Sequence, residues 1–230
     1  MKIALIPARG GSKRIPRKNI KQFCGKPIIA YSIETAIASN LFDKVIVSTD
    51  DKEIAEVAER YGAEVPFIRP AKLSDDYTDT NAVVRHGIHC VMDQGWEVSS
   101  VCFIYATAPL MEKDDLIKAY NIFFTNKWEF VFSATSFVYP IQRAFMKLQT
   151  DGVKMFNPEH FETRSQDLPE AYHDAGQFTW GKTDAWLEDI ISFSENRTFI
   201  KIPPYRVVDI DTEEDWARAE LLMELQKMKK

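Results

Sequence analysis

The chain has 230 residues, 29 lysines and arginines against 34 aspartates and glutamates for a formal charge of −5, and 45% hydrophobic residues. This is length for one or two domains and enough apolar content for a full core, and the charge is too small and too dispersed to make nucleic acid the main partner. No run approaches the ~20 apolar residues of a membrane span, the stretch Ile3–Ile6 is too short for an export signal, and Cys24, Cys90 and Cys102, with neither C-x-x-C nor zinc spacing, fit a reducing cytoplasm.

KIALIP, from Lys2, reads as a fully apolar strand of a buried parallel sheet. Pro27 opens a helix whose core face is Ile29, Ile33, Ala36 and Ile37. KVIVSTD, from Lys44, is a second strand; Asp50 caps the next helix with Glu53 three residues on, and Gly62 ends it. A third strand is expected near VPFI, from Val65, then a helix from Asn81 to Gln94, a strand at SVCFIYA, a helix from Asp114 to Thr125 and a strand at EFVFSATSF. Between about residues 139 and 181 the alternation stops, and this stretch is expected to leave the core as an insertion, partly hairpin. FIKI and RVVDID are the last expected strands, before a helix from Glu213 with Trp216, Ala219, Leu222 and Leu225 as its apolar stripe. Alternating strands and helices predict βαβ units and a mostly parallel sheet, here in one domain with an insertion. Asn196-Arg197-Thr198 matches a glycosylation acceptor, which without secretion is a chance match.

IPARGGSKRIPRKN, Ile6 to Asn19, sets five cations, Arg9, Lys13, Arg14, Arg17 and Lys18, at the carboxyl end of the first strand. Ligands of open α/β sheets bind at that edge. Gly10 and Gly11 let the backbone approach a ligand and present N–H groups to it, and the cations add full charge, a combination suited to a triphosphate. Neither the Walker A nor the dinucleotide glycine pattern is present. A solvated basic turn is the alternative; the preceding strand, the paired glycines and the following apolar helix favour the anion. Asp209 and Asp211, two apart on a predicted strand, point to one face and could share a Mg²⁺ that keeps several waters. Equally, Asp211 or Thr212 could cap the last helix, since Thr212 and Asp215 fit a capping box. The pairs Asp50/Asp51 and Asp75/Asp76 read as helix capping and a solvated turn. YHDAGQFTWG, from Tyr172, gathers His173, Asp174 and Gln177 among aromatic residues.

ARGGSKRIPRKNI resembles the first motif of the cytidylyltransferases that activate nonulosonic acids, the sialic acid family of sugars. FCGKPIIAYSIE, VIVSTDDKEIAEVAERYGAEVPFIRP and VVDIDTEEDW resemble the same family in the same order, so the resemblance spans nearly the whole chain. It implies a Rossmann-like nucleotidyltransferase fold, a homodimer, and CTP as the nucleotide, joined to an anionic sugar with release of pyrophosphate. By position, Arg9 and Lys18 would grip the CTP phosphates and steady the leaving group, Gly10, Gly11 and Ser12 would give backbone contacts, and Asn19 and Arg69 would flank the nucleotide. Thr80 and Asn81 would lie near the cytosine. Asp209 and Asp211 match the family's metal motif, which favours Mg²⁺ there and gives Asp211 a part in catalysis. YHDAGQFTWG resembles the pseudaminic acid branch, making His173, Asp174 and Gln177 sugar-binding candidates. YATAP, at Tyr105 to Pro109, departs from the glutamine-bearing loop of the N-acetylneuraminate branch. The family's inserted region crosses to the neighbouring subunit as a dimerisation arm, so Arg143 and Arg164 are candidates for the sugar carboxylate, set evenly against a role as surface residues. Legionaminic, N-acetylneuraminic and deoxyoctulosonic acids are the alternative sugars, and a nucleotide-binding regulator without turnover is the alternative of another class.

Overall fold

The structure is a computed structural model that describes residues 1–125, 127–188 and 195–228. Its centre is a sheet of β1 (Lys2–Pro7), β4 (Lys44–Ser48), β5 (Ser100–Ile104), β6 (Phe130–Ser136), β9 (Tyr172–Lys182) and β10 (Arg197–Lys201), in the order β10-β6-β9-β5-β1-β4. Two small ribbons, β2 (Gln22–Phe23) with β3 (Lys26–Pro27) and β7 (Phe145–Lys147) with β8 (Val153–Met155), stand outside it. β1 runs parallel to β4 and β5, and β6 parallel to β10; β9 is antiparallel to β5 and β6 on either side. The helices are α1 (Ile28–Ala38), α2 (Lys52–Arg60), α3 (Thr80–Met92), α4 (Lys113–Phe123), α5 (Thr183–Leu187) and α6 (Glu213–Met228). This is the mixed α/β class with a mostly parallel sheet that the alternation predicts.

Apolar runs become strands here because both faces are covered. Along β1, Ala4 and Ile6 face α1, α2 and α4, while Ile3 and Leu5 pack with Val84, Ile88 and Val91 of α3 and Trp186 of α5. Side chains alternate across a strand, so each run needs apolar residues at every position. Trp180 of β9 is fully buried and stacks on Phe42, with ring centroids 4.9 Å apart. Its neighbour Gly181 has no room for a side chain: a Cβ there would lie 2.6 Å from Phe130 Cε1 and would press on Trp186. Gly181→Ala is therefore expected to cost about 1–3 kcal/mol by overpacking, read as a lower unfolding midpoint in denaturant with an unchanged slope.

Several expected boundaries move. Tyr172–Lys182, which the sequence places at the end of the insertion, is β9, in the interior of the sheet; its two glycines and its polar residues disguise a strand whose register shifts at a bulge opposite Phe132 and Ala134. The excursion between β6 and β9 thus spans 137–171 and carries the β7–β8 hairpin. The expected strand near VPFI amounts to two isolated bridges, Ile46 to Glu64 and Thr49 to Ile68, because Pro66 between them has no N–H to give a ladder. Residues 207–212 form no strand but an unpaired run into α6. The cap of α2 is Asp51, which accepts from Ile54 N–H at 3.0 Å, not Asp50. On α6, Trp216 and Ala219 are buried as expected, but Met223 and Gln226 take the inner places expected of Leu222 and Leu225.

Candidate active site

The carboxyl ends of β1, β4 and β5 share one edge, and β9, being antiparallel, begins at that same edge. Four remote segments therefore meet: the basic loop after β1, residues 69–80, residues 105–107 after β5, and the start of β9.

The loop is held by its own contacts and by carboxylates. Asn19 is buried and donates to the Arg9 carbonyl at 3.0 Å. Gly10 N–H donates to Asp50 Oδ1 at 2.9 Å, and a Cβ on Gly10 would stand 3.0 Å from Asp51 Cβ, so glycine is required for that approach. The five cations divide among three aspartates. Asp76 pairs with Arg9 at 2.7 Å and Lys13 at 2.5 Å. Asp211 pairs with Arg14 at 2.7 Å and Lys18 at 3.6 Å. Asp51 pairs with Arg17 at 2.5 Å, and the Arg17 guanidinium holds the Asp51 carboxyl below the usual range. Exposed pairs of this kind are worth about 0–1 kcal/mol each, so a polyanion can displace them at little cost. Asp75 and Asp76 are both exposed in a bend, as a solvated turn implies: Asp75 accepts from Tyr77 and Thr78 N–H, while Asp76 also pairs with the loop.

Beside the loop lies a cavity of about 360 Å³, lined by Arg9, Ser12, Lys18, Asn19, Arg69 and Thr80 among others. Arg69 is only 3% exposed; its Nε donates to Ser74 Oγ at 3.1 Å, and no ion pair to it forms among the described residues. Burial lowers its pKa, with the Asp50 charge opposing and the Arg9 charge adding to this. A guanidinium that is buried on a cavity wall, with no ion pair among the described residues, calls for an anionic or strongly polar ligand. Gly10, Gly11 and Asn81, expected at the nucleotide, are not among the lining residues.

A second cavity, about 620 Å³, shares Tyr105 and Thr107 with the first, so the two are contiguous. His173, Asp174 and Asp209 give it polar groups; Ala175, Val207 and Leu222 give it an apolar wall. Asp174 Oδ1 accepts from Gly176 N–H at 2.7 Å, at the bulge where Gly176 has φ +62°. Burial pushes the Asp174 carboxyl pKa up, and the Asp209 charge adds to this. Burial likewise takes the Tyr105 hydroxyl to about 12, helped by both aspartates. A carboxyl whose pKa is raised by folding destabilises the folded state when ionised, and does so only above the unfolded-state value. Asp174→Asn should therefore raise the melting temperature at pH 7, and the gain should fade as pH falls to about 3; melts across that range are the check.

Gln177 does not line this cavity. It is 3% exposed, and its Nε2 donates to the Arg206 carbonyl at 2.7 Å, so it braces β9 against the turn before Val207. Arg143 and Arg164 are exposed on the excursion, and neither is among the residues lining the two cavities. Arg14, Asp76, Thr107 and Arg218 line the cavities without being site candidates in the sequence; the density of cations around Arg14 and the departure at YATAP, which holds Thr107, are the signals that could have found two of them.

Asp209 lines the second cavity, while Asp211 contacts the loop of the first. The helix cap falls to Thr212 and Asp215: Asp215 N–H donates to Thr212 Oγ1 at 3.2 Å, and Thr212 N–H to Asp215 Oδ2 at 3.0 Å. The Asp211 carboxylate is therefore free of capping. Among the described residues no three His, Cys, Asp or Glu side chains group to hold a metal ion. No strand forms at 207–212, so the expected shared strand face for Asp209 and Asp211 is not present; as oxygen donors the two carboxylates are still of the kind that a hard cation such as Mg²⁺ takes together with water and ligand phosphate.

A parallel-rich sheet with a cationic, glycine-bearing loop at its carboxyl edge defines a nucleotidyltransferase type of site. Residues 3–230 match the family model described as cytidylyltransferase, and the chain belongs to that family. It is 50% identical over 220 residues to the pseudaminic acid cytidylyltransferase of Campylobacter jejuni, covering 96% of this chain and 95% of that protein. It is 33% identical over 238 residues to the CMP-N,N'-diacetyllegionaminic acid synthase of Legionella pneumophila, covering 97% and 96%. Among solved structures, CMP:2-keto-3-deoxy-manno-octonic acid synthetase complexed with CTP shares the fold, with TM-score 0.73, 15% identity, and coverage of 98% of this chain and 99% of that one.

Proposed function

We propose that the chain transfers CMP from CTP to the anomeric hydroxyl of pseudaminic acid, giving CMP-pseudaminic acid and pyrophosphate. The observation that carries this reading is the pair of contiguous cavities: one walled by Arg69 and the basic loop, the other mixing polar and apolar groups as an amide-bearing sugar requires, joined at Tyr105 and Thr107. The 50% identity to pseudaminic acid enzymes over nearly the full length of both chains supports the choice of sugar.

The sugar oxygen attacks the α-phosphorus, its proton passes to solvent water, and the bond from the α-phosphorus to the bridging oxygen breaks to release pyrophosphate. In such chemistry the protein chiefly positions the reactants and stabilises charge. Arg9 and Lys18 exchange their carboxylate partners for the β- and γ-phosphates and hold the leaving group. Tyr105 and Thr107, on the wall common to both cavities, set the distance between the two substrates. Asp209 and Asp211 would hold Mg²⁺, whose chemistry is to polarise the α-phosphate and make the hydroxyl more acidic. ³¹P NMR of CTP with and without the sugar acid tests the reaction: a sugar-dependent phosphodiester signal with pyrophosphate is expected, and sugar-independent hydrolysis or no change would rule it out.

Lys18 Nζ donates to the Ile210 carbonyl at 2.6 Å and lines the first cavity. Lys18→Ala is expected to weaken CTP more than CMP, by roughly 10-fold or more for a lost charge-assisted bond. Calorimetric titration of both nucleotides checks this, and equal losses would move Lys18 away from the outer phosphates.

A homodimer belongs to the same reading. The excursion exposes Tyr139 (81%), Phe145, Val153, Phe156 and Phe161, more apolar surface than a monomer usually leaves to water. Phe145→Glu with Phe161→Glu should lower the mass measured by light scattering to that of one chain. No described helix is long and apolar enough to cross a membrane. We assign the enzyme to the cytoplasm, where CTP is made and thiols such as Cys24 and Cys90 stay reduced.

A further inference from the structure

The sugar of the proposed reaction is an acid, and a binding group for its carboxylate is needed only if that reading holds. The carboxylate must enter a cavity that already presents Asp174 and Asp209. Even where Mg²⁺ offsets the Asp209 charge, the Asp174 carboxylate repels an anion unless a further cation faces it. Arg218 is the one arginine or lysine among the described residues lining that cavity. It stands on α6 four residues before Leu222, which lines the same wall, and residues so spaced share a helix face.

Arg218 is also available. Its Nη2 donates to Asp215 Oδ1 at 3.1 Å, and its side chain is 60% exposed. Asp215 does not depend on it: Oδ2 accepts from Thr212 N–H at 3.0 Å, Thr212 Oγ1 at 2.8 Å and Asp211 N–H at 3.2 Å. An exposed pair three residues apart on a helix is weak, so the guanidinium can turn from Asp215 without loosening the cap. Its planar fork matches a carboxylate with two parallel bonds. Arg143 and Arg164 line neither cavity.

We infer that Arg218 recognises the carboxylate of the sugar acid, within the same chain that supplies Asp209, and so makes the site selective for acids over neutral sugars. The test compares kcat/KM for pseudaminic acid and for its C1 carboxamide in wild type, Arg218→Ala, Arg218→Lys, Arg143→Ala and Arg164→Ala. Because both substrates are measured on one preparation, the acid-to-amide ratio does not depend on how much enzyme is folded. Arg218→Ala should raise the sugar KM about 10- to 100-fold, the range for losing a hydrogen bond to a charged group, leave the CTP KM near wild type, and bring the ratio towards one. Arg218→Lys, with charge but no fork, should fall between. A wild-type ratio in Arg218→Ala, or its collapse in Arg143→Ala or Arg164→Ala instead, would overturn the inference while the proposed reaction stands. A wild-type enzyme inactive on every nonulosonic acid would sink both.

Discussion

Asp211→Ala is expected to lower turnover by about 10²–10³, the effect of removing one well-placed electrostatic stabiliser, while leaving the fold intact. The expectation rests on what Asp211 does not do. The cap of α6 is made by Thr212 and Asp215, so the Asp211 side chain is free of helix-capping work. Its described partners are Arg14 and Lys18, both on the basic loop, and such exposed pairs contribute little to stability. The melting temperature should therefore stay within a degree or two while kcat falls and its Mg²⁺ dependence changes. Asp209→Ala should behave alike, since Asp209 lines the cavity on the other side of the joint. A melting temperature that drops with turnover preserved would return Asp211 to a structural role.

Arg206→Ala should give the largest loss of stability, about 3–5 kcal/mol, because it strands a buried carboxylate. Arg206 and Asp115 are both buried and form a two-pronged ion pair, with Glu112 Oε2 3.1 Å from the same guanidinium. Glu112 also accepts from Gln226 Nε2 at 2.6 Å, and the Arg206 carbonyl accepts from Gln177. The cluster thus ties α4, β9 and α6 together at the point where the chain turns into the run bearing Asp209. For a chain of this size the loss amounts to roughly 10 °C in melting temperature. Asp115→Ala alone should cost a similar amount, and the double variant should cost much less than the sum of the two. Simple additivity would mean that the two side chains act independently.

Much of the fold was legible because its strands are short apolar runs and its helices carry caps and stripes. Ile3–Ile6 and Val101–Ile104 could be little else, and Gly62 ends α2 at φ +92°, a conformation that glycine supplies without strain. The failures have physical causes. Tyr172–Lys182 hides an interior strand because its bulge needs Gly176 and because Gly181 gives way to Phe130 and Trp186. Residues 207–212 have a strand's composition but no partner strand, which composition cannot reveal. Capping by Asp51 rather than Asp50 turns on which carboxylate the Gly10 amide claims. At the site, motif position brought Arg9, Lys18 and Arg69 to one cavity, whereas Gln177 looked like a sugar ligand because a buried strut and a binding residue are both polar. Asp76 and Arg218 carried no signal, since their meaning comes only from elements that fold against them.

The central claim is a cytidylyltransferase that selects pseudaminic acid, and steady-state pyrophosphate release with CTP and a panel of acids tests it most directly. Pseudaminic, legionaminic, N-acetylneuraminic and deoxyoctulosonic acids are compared, with ATP and GTP as nucleotide controls. Strict dependence on sugar, preference for CTP, and the highest kcat/KM for pseudaminic acid are expected. A higher kcat/KM for another acid, equal turnover with ATP, or no turnover with any of the four would contradict the claim.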